Sequence, residues 1–129
     1  MIGTKGERKL LVTSEVAINF LGLDEARVLS TPHMIGVMER TCRDTVLGLL
    51  EAGHDTVGTH IEVWHRAAAP IGTAATIRVE VTAVNGRRVQ FRVEAWRGDE
   101  LLGEGTHERA IVNVAKFASR LAAGKKRSG

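Results

Sequence analysis

Residues 30–53, STPHMIGVMERTCRDTVLGLLEAG, are where the chain commits to a long amphipathic helix. Apolar side chains recur here at spacings of three and four, which is helical periodicity. Ser30 or Thr31 can cap the start, and Pro32 stands at the first position, where a missing N–H costs nothing. The spacing predicts a helix from Pro32 to about Glu51, stopped by Gly53. At 100° per residue, Met34, Ile35, Met38, Cys42, Val46, Leu49 and Leu50 share one arc of about 160°. Arg40, Asp44 and Glu51 lie opposite. Glu39 falls inside the apolar arc, between Val46 and Leu50.

On either side of this helix the period drops to two. Upstream, residues 8–18 (RKLLVTSEVAI) read as a strand, and 19–30 (NFLGLDEARVLS) as a connection with a short helical piece. Downstream, strands are expected at 56–67, 73–84, 87–97 and 100–115. Asn85-Gly86 and Gly98-Asp99 are tight-turn signals, so the last three should form an antiparallel meander. A sheet that buries one face needs a partner, and the helix is the only long apolar one available. The expected class is therefore α+β, one domain over residues 1–129, with an antiparallel sheet curled around a single helix.

The 129 residues are 43% apolar and 26% charged, ordinary for a chain with a buried core. No apolar run approaches the ~20 residues that cross a bilayer, and MIGTKGERKL lacks the apolar stretch of a secretory signal. Cys42 is the only cysteine, which fits a reducing cytoplasm. The net charge of +3 is local, since KFASRLAAGKKRSG at the C-terminus holds five basic residues and no acid. Without interleaved aromatics it is no stacking platform for nucleic acid. Residues 117–129 are expected as a basic helix end and solvated tail. The five histidines show no metal-ligand spacing, and His60 and His107 are expected on strand surfaces.

Burying a carboxylate costs several kcal/mol unless something answers it. Glu39 either snorkels out or pairs with Arg43 one turn on, or it is kept dry to act as base or nucleophile. In the strand TVGTHIEVWHRAA, strict alternation puts Val57, Thr59, Ile61, Val63 and His65 toward the helix. His65 is the polar exception there, either a satisfied core histidine or a proton carrier. Thr31 adds a hydroxyl beside helix N-terminal N–H groups, which suit a developing oxyanion. Gly36 costs ~1 kcal/mol relative to Ala, for packing or for close approach of a ligand. Cys42, in mid-stripe, reads as a core filler, and Trp64 as either an interface residue or an ordinary exposed one.

In STPHMIGVMERTC, VGTHIEVWHRAAAPIGT, NGRRVQFRVEA and GTHERAIV the chain resembles the hot-dog-fold thioesterases, specifically the fluoroacetyl-CoA thioesterase-like family. The resemblance spans most of the sequence. It implies a hot-dog fold, with Thr31, Glu39 and His65 as the catalytic set. It further implies Gly58 beside the acyl group and Arg109 in substrate binding. The implied reaction is hydrolysis of a small acyl-CoA with no cofactor, CoA being part of the substrate. The implied assembly is a homodimer or higher homo-oligomer with sites at the subunit boundary, where Thr31 and Glu39 of one chain would face His65 of the other. The rival reading is a non-catalytic dimer that binds acyl thioesters in the same groove. The aromatic lid of the fluoroacetyl-CoA enzyme is replaced by NFLGLDEARVLS, with Phe20 its only aromatic, and Pro32 and His33 also depart. Fluoroacyl selectivity is therefore not implied.

Overall fold

Ser30, not Thr31, caps the central helix: its hydroxyl accepts the His33 N–H at 3.2 Å, and Pro32 occupies the first turn. The computed structural model describes residues 1–128. Helix α1 spans Thr31–Leu47 and ends at Gly48, before the expected stop. The turn then tightens through Leu49 N–H to Val46 O and Leu50 N–H to Leu47 O, and Gly53, at φ +80°, redirects the chain into the sheet.

The strands are β1 (Lys5–Leu11), β2 (His54–His65), β3 (Ala74–Asn85), β4 (Arg88–Arg97) and β5 (Glu100–Asn113). They form one antiparallel sheet in the order β1-β3-β4-β5-β2. The expected meander is β3-β4-β5, turning at Gly86 (φ +62°) and Gly98 (φ +59°). The first strand lies earlier than 8–18 because its pairing runs out: Leu11 faces Ala74, the first residue of β3. Beyond it, Ser14–Val16 and Asp24–Ala26 are single 3₁₀ turns in a connection stapled by Arg27, which donates to the carbonyls of Ser14 and Ile18. The basic C-terminus is helical, as α2 over Val114–Ser128, rather than a tail; Gly129 lies outside the described residues.

Met34, Met38, Cys42 and Val46 of α1 pack on Ile77, Val81, Val89, Phe91 and Val93, all fully buried. Each large side chain so buried contributes about 1.5–3 kcal/mol. The buried stripe is rotated from the expected arc. Val37 and Thr41 are inside and Leu49 is 57% exposed. The cause is β1, which covers the Val37–Thr45 flank: Gly6 lets the Thr45 side chain approach where any Cβ would collide. Thr41 is buried at little cost because its hydroxyl donates to the Val37 carbonyl at 2.7 Å. The opposite flank, carrying Glu39, faces β2 and β5 and is only half-buried.

A bulge at Thr59 breaks the alternation of β2. Gly58 pairs with Arg109 and His60 with Glu108, leaving Thr59 as the extra residue. Thr59 points outward, its hydroxyl donating to the Glu108 carboxylate at 2.7 Å. Thr56 and Gly58 therefore turn toward α1 before the bulge, and Ile61, Val63 and His65 after it. This corrects the inward placement of Val57 and Thr59.

Candidate active site

The first residue of α1 meets the last residue of β2. Thr31 Oγ1 and His65 Nδ1 are 2.8 Å apart, a hydrogen bond across the top of the layer. His65 Nε2 is buried and has no hydrogen-bond partner. Burial holds the His65 pKa below its ordinary value, so the ring is neutral near pH 7. Both side chains line a cleft of about 370 Å³ with Ile18, Phe20 and Val28. A neutral imidazole with one free nitrogen in a cleft wall can take a proton and pass it on.

Further along α1, Glu39 lies against β2 where Gly58 leaves space: a Cβ on Gly58 would stand 3.8 Å from Glu39 Oε1. The pairing with Arg43 does not form, because Arg43 grips Asp55 through two bonds of 2.9 and 2.6 Å. Among the described residues Glu39 enters no ion pair. Next to it Arg109, 7% exposed, donates to Thr56 Oγ1 at 2.7 Å, to Thr56 O at 2.9 Å and to His107 Nε2 at 3.2 Å. The guanidinium thus pins the start of β2 to β5 and sets a positive charge behind the carboxylate. His107 is not on the surface as expected. It is 1% exposed, and its Nδ1–H donates to the His60 carbonyl at 2.7 Å. That bond braces the bulge that turns Gly58 inward.

The site is thus in two halves. Thr31 and His65 form one, meeting within a single chain rather than across two as expected; Glu39, Gly58 and Arg109 form the other. Eight residues separate Thr31 from Glu39 on one helix, about 12 Å along its axis. Residues 12–115 of the chain match the family of fluoroacetyl-CoA-specific thioesterases. The chain belongs to that family. A curated relative, the fluoroacetyl-CoA thioesterase of Streptantibioticus cattleyicolor, is 40% identical over 94 residues, 73% of this chain and 68% of the relative. Among solved structures, a variant of the fluoroacetyl-CoA-specific thioesterase FlK in complex with fluoroacetate and CoA superposes with a TM-score of 0.80 at 35% identity, covering 91% of this chain and 98% of that one. A hot-dog-like protein from Thermanaerovibrio acidaminovorans, at 23% identity, shares the fold with a TM-score of 0.87 over 99% and 93% of the two chains. The fold is the hot-dog fold.

Within this family member the remaining expectations sort by burial. Cys42 is fully buried and its thiol is pushed up to about 12 by desolvation, so it is core filler and no nucleophile. Phe20 is 76% exposed at the mouth of the Thr31–His65 cleft, and Trp64 is 51% exposed beneath the Arg66 guanidinium. Thr56 and His107 are the functional neighbours that sequence reasoning missed. His107 carried a usable signal, because it stands two residues from Arg109 and must share its face. Thr56 had none, since the bulge has no mark of its own. Among the described residues no helix is long and apolar enough to cross a membrane.

Proposed function

We propose that this chain is an acyl-CoA thioesterase that hydrolyses a small acyl thioester to the free acid and CoA. In this reading Thr31, Glu39 and His65 do the chemistry and the working unit is a homodimer. One observation carries the reading: the two half-sites lack complementary things. Thr31 and His65 have a proton carrier but no acid, while Glu39 and Gly58 have an acid and an emptied acyl position but no proton carrier. Strand β2 is a sheet edge of twelve residues. If two copies pair it antiparallel about its middle, His65 of one meets the His54 end of the other, beside that copy's Thr56, Gly58 and Arg109. Each boundary then holds one complete set.

The acyl group would sit over Gly58, with its carbonyl oxygen toward backbone N–H groups near Thr31 or Gly58. Glu39 either takes a proton from water or attacks the carbonyl carbon itself, giving an anhydride that water then opens. In both routes the carbon–sulfur bond breaks; direct attack puts the water oxygen in the acid product, whereas water opening the anhydride at its glutamyl carbonyl leaves its oxygen in Glu39 and a Glu39 oxygen in the acid. His65, neutral at rest, receives the released proton and delivers it to the departing thiolate. Thr31 holds the imidazole. General acid–base help of this kind is commonly worth 10²–10⁴-fold.

Thiol release from a panel of acyl-CoAs tests the reading. Glu39→Gln and Thr31→Ala should each lose most turnover while remaining folded. Mixed dimers of the two variants should recover about one quarter of wild-type turnover, since half the dimers are mixed and each holds one intact boundary. A site within one chain predicts no recovery. Tight acyl-CoA binding by the wild type with no thiol released would make it a binding module and refute the proposal. Isotopically labelled water in a single turnover separates the routes, because only the anhydride leaves label in Glu39.

A further inference from the structure

A second cleft, of about 480 Å³, opens where the end of α1 meets the start of α2. Its apolar wall is Leu49, Ile111 and Phe117, and its rim carries Arg87, Lys116 and Arg120. Several exposed guanidiniums elsewhere on the molecule face carboxylates: Arg43 with Asp55, Arg66 with Glu104, Arg78 with Glu7. These three cations take part in no ion pair among the described residues. Glu51 is the one carboxylate on the wall, so positive charge stays in excess. The N-terminus of α2 opens on the same space, with Asn113 Oδ1 accepting the Lys116 N–H at 3.1 Å, and its dipole adds to the field. Leu49 at 57% exposure and Phe117 at 36% have no role in the core.

We infer that this cleft binds the phosphoadenosine end of CoA, the base against Leu49 and Phe117 and the phosphates on Arg87, Lys116 and Arg120. The inference rests on the thioesterase reading for its link to catalysis, and on the cleft alone for its ligand. Three unpaired cations around an apolar concavity match a flat heterocycle that bears several negative charges. A flat acidic protein surface would reach the cations but not the wall. The position fits the same molecule. Leu49 lies just past the end of α1, whose last residue, Leu47, is about 12 Å along the axis from Glu39, and Ile111 is the next inward position of β5 after Arg109. An extended pantetheine arm covers that span from thioester to nucleotide. The carrier read here is therefore CoA rather than a protein-bound pantetheine, whose single phosphodiester would leave the cleft unfilled.

Calorimetric titration with adenosine 3′,5′-bisphosphate tests the ligand without any turnover. The wild type should bind it, and the triple variant Arg87→Gln/Lys116→Gln/Arg120→Gln should bind at least tenfold more weakly. A charge-matched control, Lys5→Gln/Arg92→Gln/Arg97→Gln, should keep wild-type affinity. In the thiol-release assay the wild-type KM should be at least tenfold lower for an acyl-CoA than for the same acyl-pantetheine, and the triple variant should erase that difference. The assignment is overturned if the wild type does not bind the bisphosphate, if the two triple variants lose it equally, or if inorganic pyrophosphate binds as tightly. Should no thioester be cleaved at all, the hydrolytic reading fails while the titration still decides the cleft.

Discussion

Replacing His107 by Phe keeps a ring of similar size in the stack with Phe91, whose centroid is 6.1 Å away, and removes two buried hydrogen bonds. The His60 carbonyl loses its donor and one Arg109 N–H loses its acceptor. Each group left unsatisfied costs about 1–3 kcal/mol, so the variant should be about 2–6 kcal/mol less stable at pH 7.5. In a domain of this length that lowers the melting temperature by roughly 10 °C. A second effect follows from charge. Burial, joined by the nearby Arg109 charge, holds the His107 pKa below its ordinary value, outweighing the His60 hydrogen bond and Glu39, which raise it. The unfolded chain therefore takes up a proton near pH 6.5 that the folded protein refuses, and stability falls as pH drops below that value. Between pH 6.5 and 5.5 this amounts to at most about 1.4 kcal/mol, and the His107→Phe variant should not show it. Urea unfolding of both proteins across that range subtracts the other histidines, His65 included. A loss under about 0.5 kcal/mol at pH 7.5, with the same acid slope in both proteins, would mean that His107 braces nothing.

Three further outcomes can be measured with the same preparations. Gly58→Ala sets a Cβ 3.3 Å from His107 Cε1 and 3.8 Å from Glu39 Oε1, so thiol release should drop at least tenfold for only about 1 kcal/mol of stability; full turnover would show that the space beside Glu39 is not used. Gly103→Ala drives a Cβ to within 2.8 Å of Met34 Cε, an overpacking cost of about 1–3 kcal/mol. Met34→Ala in the same chain should relieve part of it, and strict additivity of the two losses would place the clash elsewhere. Asp55→Asn removes the bidentate bond to Arg43, whose side chain is 43% exposed, and should cost less than about 1 kcal/mol. Because Arg43 lowers the Asp55 pKa, that contribution is present at neutral pH and fades below about pH 4, so wild type and variant should converge in acid denaturation.

What could be read from the sequence divides along the range of the interaction responsible. Periods of 3.6 and 2, and glycines that need positive φ at 86 and 98, are local properties. They placed α1 and the β3-β4-β5 meander within a few residues. Ends and faces were less legible. Helix α1 stops at Gly48 because the turn tightens there, and its buried stripe rotates because β1 covers one flank, a contact between residues about forty apart. The parity of β2 failed for a similar reason. The bulge at Thr59 is sustained by bonds from β5, through His107 to the His60 carbonyl and Glu108 to the Thr59 hydroxyl, and nothing within TVGTH announces it.

Glu39, by contrast, was visible as soon as the helix was drawn, since a carboxylate on the flank of an apolar stripe is a local anomaly. Its surroundings were not visible. An inward Arg109 already required an inward His107, but the face of β2 that meets them depends on the bulge. The lesson is physical. A fold of this kind writes its helices and turns in neighbouring residues, and writes its site in the registry between strands. The half-sites at Thr31–His65 and Glu39–Gly58 lie about two turns apart on one helix, and the proposed joining of them runs through an edge strand, whose pairing partner no period within the chain can specify.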